Sequence, residues 1–234
     1  MNHIVYNEFW KGARLVKRKI SNTTFSNYSF KQVFFNNVIF SNCEFINCSF
    51  ELSFIGNRVI FKNCNWTNTS FFNTAFGYKS FFISNIFNNV EVENCTFRGV
   101  KLINSKFNAH IKNVIFHGNL SGFRRQATFF KSVDFSESVF SNVKFYQGVN
   151  LRMTILPKDN LISISNEQGE YISEISKKLK HNESLMNTKI GLFAWKGAYL
   201  KQNPIIIDKY LLEKSLDEKE REYFLNSIKH LFKK

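Results

Sequence analysis

The stretch SNCEFINCSF, residues 41–50, sets Phe45 and Phe50 five residues apart, and Phe25, Phe30, Phe35 and Phe40 lead up to them at the same interval. Neither common element keeps such a series on one surface. A strand alternates with period two, so a step of five changes face each time. A helix turns about 100° per residue, so a step of five rotates the side chain by ~140° and spreads the series around the rod. A fixed repeat instead indicates stacked units. If five residues make one side of a square coil, every Phe points to the axis, and four sides complete a turn.

Neighbouring positions fit the same coil. Two residues before each Phe stand Thr23, Tyr28, Val33, Val38, Cys43 and Cys48, mostly small or β-branched. In an extended segment they face inward with the Phe. Two residues after it come Asn27, Asn37, Asn42 and Asn47, and Asn tolerates the left-handed backbone that a sharp corner needs. The series continues with slips: Phe61 and Phe82 arrive one residue late, Ile111 one early, and Phe130, Phe135, Phe140 and Phe145 resume the period. One-residue slips read as β-bulges. The predicted core includes Phe40, Phe45, Phe50, Trp66, Phe71, Phe97, Phe135, Phe140 and Phe145.

Over residues 21–156 this pattern resembles the pentapeptide-repeat family. The resemblance implies a mainly β chain: a right-handed quadrilateral β-helix, or β-solenoid, with a small α-helical C-terminal module. The repeat here is Phe-centred where the family is more often Leu-centred, and Asn often stands where the family prefers Gly. Residues 1–20 are expected to cap the first turn with Phe9 and Trp10, since an exposed solenoid end needs covering. Residues 157–234 turn helical in pattern. EYISEISKKLK (170–180) spaces Tyr171, Ile172, Ile175 and Leu179 as one helix face, and Ser215 with Glu218 suggests a capping box. The last helix would carry Tyr223, Phe224, Ile228 and Leu231 on a stripe. Capping the rod, homodimerisation and partner binding are all open to this module. Acidic residues dilute its charge and argue against a membrane role.

The four cysteines, Cys43, Cys48, Cys64 and Cys95, all fall two before a core position, and their spacing matches no common zinc pattern. They read as buried thiols that behave as small hydrophobes. Reduced thiols, with no signal-peptide-like N-terminus, lead us to expect a cytoplasmic protein. No phosphate loop, HExxH or GxSxG pattern occurs. Catalysis, cofactor and metal are therefore not expected.

One interruption breaks the repeat: HGNLSGFRRQATF, residues 117–129, strands Phe123 beside Arg124 and Arg125. It is either an irregularity absorbed by bulges or a projecting loop over 117–127, and loops on rigid scaffolds often recognise partners. Topoisomerase-protecting proteins of the family carry projecting loops too.

Charge bears most directly on function. The net is +14, split +4, +7 and +3 over residues 1–20, 21–156 and 157–234. Some pentapeptide-repeat proteins are thought to imitate duplex DNA with an acidic rod, and a basic rod does so only if its few acids cluster on one face. The reading placed first is a non-enzymatic interaction scaffold that binds a protein partner, in topoisomerase protection, toxin immunity or host interaction. The alternative is a nucleic-acid or polyanion binder that uses its basic surface.

Overall fold

The computed structural model describes residues 3–6, 9–117, 128–146, 149, 151, 153–157, 161–164, 205–208 and 216–228. Within the repeat, short strands stack in register and parallel, forming one thirteen-stranded and one eleven-stranded sheet. Each sheet bends around two sides of a square coil. Side 1 carries Phe25, Phe45, Trp66, Phe87 and Phe107 inward, and side 2 carries Phe30, Phe50, Phe71, Val92, Ile111 and Phe140; both belong to the larger sheet. Side 3 carries Phe35, Ile55, Phe76, Phe97, Phe116 and Phe145, and side 4 carries Ile20, Phe40, Phe61, Phe82, Leu102 and Phe130; these form the second sheet.

In-register stacking turns each side into a ring column. Phe45 and Trp66 lie nearly parallel at 4.0 Å, as do Phe87 and Phe107 at 4.1 Å and Phe76 and Phe97 at 4.2 Å. Rings on adjacent sides meet edge to face, as Phe40 and Phe45 do, an arrangement the ring quadrupoles favour. Phe40, Phe45, Phe50, Trp66, Phe71, Phe97, Phe135, Phe140 and Phe145 are all buried. Where Val92 and Leu102 replace a ring, the column keeps a small apolar void of about 20 Å³.

The smaller inward position proves to be a donor site as well as a filler. Cys48 Sγ, Thr69 Oγ1, Thr74 Oγ1 and Cys95 Sγ donate to the carbonyls of Phe25, Phe45, Phe50 and Phe71, one coil back. A short side chain with one donor suits a buried carbonyl near each corner. The four cysteines are free and buried. Burial pushes the Cys48 thiol up to about 11 and the Cys95 thiol up to about 12.

Corners take the left-handed backbone at Asn22, Asn27, Asn42, Asn47, Asn63 and Asn68, with φ between 50° and 54°. Asn gives more than conformational tolerance. Its side-chain amides form ladders: Asn47 Nδ2 donates to Asn27 Oδ1 at 3.1 Å, Asn68 to Asn47 at 3.2 Å, and Asn89 to Asn68 at 2.8 Å. Glycine at a corner could not do this.

One expectation is sharpened and two need correction. The cover expected of residues 1–20 takes the form of a further coil, with Trp10 edge-on to Tyr28 and Phe30. His3–Tyr6, Phe9–Lys11 and Arg14–Ser21 pair in parallel with Thr23–Ser26, Ser29–Lys31 and Phe34–Ser41, so they are a coil of the rod. Smaller centres such as Leu15 and Ile20 hide that coil from a Phe-based reading. Next, the late slips before Phe61 and Phe82 are not strand bulges. Ile60–Lys62 and Phe81–Ile83 remain in register, and the extra residue sits in the corner, where Arg58 and Lys79 take φ of 57° and 60°. A true register shift does occur at Asn88/Val90, beside the early Ile111. Last, the capping box is Asp217 with Glu220. Asp217 N–H donates to Glu220 Oε2 at 3.1 Å, and Glu220 N–H to Asp217 Oδ1 at 2.9 Å, because the helix Glu218–Ile228 begins three residues after Ser215.

Beyond the rod, Leu161–Ile164 pairs antiparallel with Ile205–Asp208. Leu216, just before the helix, belongs to the same buried apolar cluster as the ring columns. The helix predicted at 170–180 lies outside the described residues.

Candidate interaction surface

Because the coil is square, the outward residues fall into four strips, and charge separates between the two sheets. Among the described residues of the rod, the second sheet with its corner bears Arg14, Lys17, Arg18, Lys19, Arg58, Lys62, Lys79, Arg98, Lys101, Lys131 and Lys144, and no acid. The acids Glu44, Glu51, Glu91, Glu93, Asp134 and Glu137 all stand on the larger sheet or its connection, with Lys11, Lys31, Lys106 and Lys112. The acids do share one half of the rod, yet three are paired: Glu51 with Lys31 at 2.7 Å, Glu93 with Lys112 at 2.9 Å and Glu137 with Lys106 at 2.6 Å. Asp134, hydrogen-bonded to Ser136, is held below the ordinary carboxylate value. That half is mixed in charge rather than a continuous acidic stripe.

Side 4 adds an apolar centre to the basic half. Ile39, Ile60 and Phe81 follow one another in register, with Ile83 and Ile103 beside them. These five are half-buried, and Phe129, which follows Lys101 in the strip, is 38% exposed. Lys19, Lys62, Lys101 and Lys131 stand exposed in the same strips, and Lys101 Nζ sits 5.1 Å from the centre of the Phe81 ring. Six apolar side chains among cations resemble the apolar core and polar rim of a protein interface.

Sides 3 and 4 meet at a corner that opens into a groove of about 340 Å³, lined by Val16, Lys17, Asn36, Asn37, Asn57, Arg58, Tyr78 and Lys79. The late slips build it, since each inserts one residue at this corner. Gly56 and Gly77 precede the two inserts for a steric reason. The Phe54 ring lies over both, so a Cβ at Gly56 would come within 2.6 Å of Phe54 Cε1 and 2.7 Å of the Phe35 carbonyl oxygen.

The long interruption enters at the same corner. Thr128 N–H donates to the His117 carbonyl at 2.8 Å, and the ladders on both sides remain in register. The insertion thus leaves and rejoins the rod at one corner. Phe123, Arg124 and Arg125 themselves lie outside the described residues. Burial, and then Arg98, holds the His117 imidazole below its ordinary value, so it adds no positive charge here at neutral pH. Tyr223, Phe224 and Ile228 lie on the C-terminal helix by their backbone; their side chains and all of Leu231 are outside the described residues. Sequence reasoning missed the groove and the side 4 strip, although the replacement of corner Asn by Lys17, Arg58 and Lys79 was a readable signal.

Among the described residues no three His, Cys, Asp or Glu side chains gather as a metal set, and no helix is long and apolar enough to cross a membrane. No family model matches the chain, and neither does any curated protein. Solved structures similar to it are pentapeptide-repeat folds. QnrB1, a plasmid-mediated fluoroquinolone resistance protein, in its trypsin-treated R167E form, is 17% identical, with 66% of this chain and 73% of that one covered, at a TM-score of 0.38. HetL, from the cyanobacterium Nostoc sp. strain PCC 7120, is 9% identical over 67% and 84%, at 0.22. Rfr23, from the cyanobacterium Cyanothece 51142, is 12% identical over 65% and 90%, at 0.19. By its own geometry of five-residue sides, left-handed corners and in-register ring columns, the chain is a quadrilateral β-solenoid built on a five-residue repeat.

Proposed function

We propose that this protein is a non-enzymatic scaffold that binds a protein partner through the acid-free half of its rod. The observation that carries the reading is side 4, where Ile39, Ile60, Phe81, Ile83, Ile103 and Phe129 form an apolar strip with lysines and no carboxylate. Charge complementarity then asks for a partner with an apolar contact and an acidic rim. Topoisomerase protection and toxin immunity are the roles within this class that we carry forward. The paired acids of the other half disfavour a mechanism based on imitating DNA. Partner contact by Phe123, Arg124 and Arg125, and dimerisation through the helix with Tyr223, Phe224, Ile228 and Leu231, belong to the same proposal.

Capture from nuclease-treated native lysate tests it. A discrete acidic protein should be retained by the natural chain and lost by Phe81→Glu with Ile103→Glu, while melting stays unchanged. Equal recovery with both forms would contradict the reading.

The unbroken positive charge of the second sheet also favours a second reading, a polyanion lying along that half. Anisotropy titrations with duplex and single-stranded DNA or RNA separate the two. A polyanion ligand gives affinity that falls steeply with salt, whereas the scaffold reading expects binding on the order of 10 μM or poorer at physiological salt.

A further inference from the structure

We propose that the corner groove between sides 3 and 4 is a phosphate-binding site, with Arg58 and Lys79 from successive coils as its principal cations and Lys17 two coils away as a third. The inference is independent of the partner reading, because it uses the corner and not the apolar strip of side 4.

Volume comes first. At about 340 Å³ the groove lies at the lower end of the range for small-molecule sites. Its chemistry is one-sided. Lys17, Arg58 and Lys79 are exposed, and the three ion pairs among the described residues all involve other lysines on the other sheet. No carboxylate belongs to this sheet among the described residues, so no acid of the same sheet balances the positive charge.

Placement adds to charge. Successive coils are about 4.8 Å apart, so Arg58 and Lys79 can address oxygens of one phosphate or of two linked phosphates. A guanidinium presents a planar fork that matches phosphate geometry, and a lysine adds a point charge. Lys79 Nζ stands 4.9 Å from the centre of the Tyr78 ring, which limits its range. The amides of Asn36 and Asn57 line the same groove as neutral donors. A phosphate rather than a carboxylate fits because two adjacent cations are best balanced by a group carrying up to two charges.

Construction points the same way. Most corners of this rod use Asn in the left-handed conformation, whereas Lys17, Arg58 and Lys79 occupy that conformation at this one corner with φ of 53°, 57° and 60°. Long cationic side chains stand here at positions where Asn suits the backbone better.

The shared chemistry is a phosphate oxyanion, which can come from a small polyphosphate or from a nucleic-acid strand. Calorimetry on the full chain with tripolyphosphate, and separately with a twelve-nucleotide oligothymidine, distinguishes the sources. Two charge-matched double variants are compared: Arg58→Asn with Lys79→Asn, and Lys131→Gln with Lys144→Gln on the same sheet away from the groove. The groove variant installs the rod's own corner residue, so it should fold and melt at or above the natural temperature. We expect it to lose at least about tenfold in affinity, while the distant variant changes by less than about threefold. Tripolyphosphate binding assigns a small ligand, and binding of the oligonucleotide alone assigns a strand backbone. Failure of both probes to bind the natural chain at low salt, or equal losses in the two variants, would overturn the site. Either result leaves capture of a protein by side 4 unaffected.

Discussion

The indole nitrogen of Trp66 donates to Asn85 Oδ1 at 3.1 Å, inside a rod whose inward positions otherwise hold apolar rings, aliphatic chains and small hydroxyl or thiol side chains. Asn85 is fully buried and has further partners. Its Nδ2 donates to the Phe61 carbonyl at 2.9 Å, and its backbone N–H donates to Ser105 Oγ at 3.2 Å. A lone Trp in a Phe column brings an N–H that must be satisfied, and the next coil supplies the acceptor at the small inward position. Asn85→Val should therefore cost about 1–3 kcal/mol by leaving the indole N–H and the Phe61 carbonyl unpaired. Added to Trp66→Phe, the same change should cost visibly less. Urea unfolding of the four-member cycle measures the coupling, and additive costs would deny the pairing.

Phe45 contacts Phe25 below and Trp66 above at 5.0 and 4.0 Å. Phe45→Ala opens a cavity in a stack that cannot collapse without breaking ladder register, and about 3–5 kcal/mol should be lost. Lys62 is exposed, and Lys62→Ala should stay within about 0.5 kcal/mol. Denaturant midpoints compare them directly, and similar small effects would contradict the inward assignment.

Corner Asn47 combines φ of 53° with two ladder amides. Asn47→Gly keeps the backbone free and loses only exposed hydrogen bonds, so a change within about 1 kcal/mol is expected. Asn47→Val forces a β-branched residue into the left-handed region and should cost more, on the order of 2 kcal/mol. Thermal melts with the order reversed would show that the ladder, not the backbone, selects Asn.

Access, not acidity, should control the cysteines. The neighbouring Cys64 thiol holds the Cys43 thiol below its ordinary value, yet Cys43 is only 1% exposed. A thiol reagent at pH 8 should label none of the four in the folded chain and all four in denaturant, counted by intact mass. Rapid labelling of Cys43 alone would mean that the coil opens around it.

The five-residue Phe spacing made the coil legible because in-register stacking needs the same residue class at the same inward position in every turn. Asn at the corners was legible for a similar reason: few residues accept positive φ. The first coil was missed because its centres are not Phe, although Trp10, Leu15 and Ile20 keep the five-residue interval into Phe25. Two functions of side chains were hidden as well. The donors at Cys48, Thr69 and Cys95 look like space fillers in sequence, and their acceptors lie 23 or 24 residues back. Segregation of charge was hidden because Glu44 and Lys62 differ in sheet, not in local sequence character. The slips at Phe61 and Phe82 were visible, but whether an extra residue bulges a strand or widens a corner depends on pairing across coils.

Lysine acetylation footprinting of the complex, read by mass spectrometry with and without the captured partner, tests the central claim most directly. The account predicts protection of Lys62 and Lys101 on side 4, with Lys11 and Lys106 on the opposite sheet modified at unchanged rates. Protection of the Lys11 and Lys106 half, with Lys62 and Lys101 still freely acetylated, would contradict it.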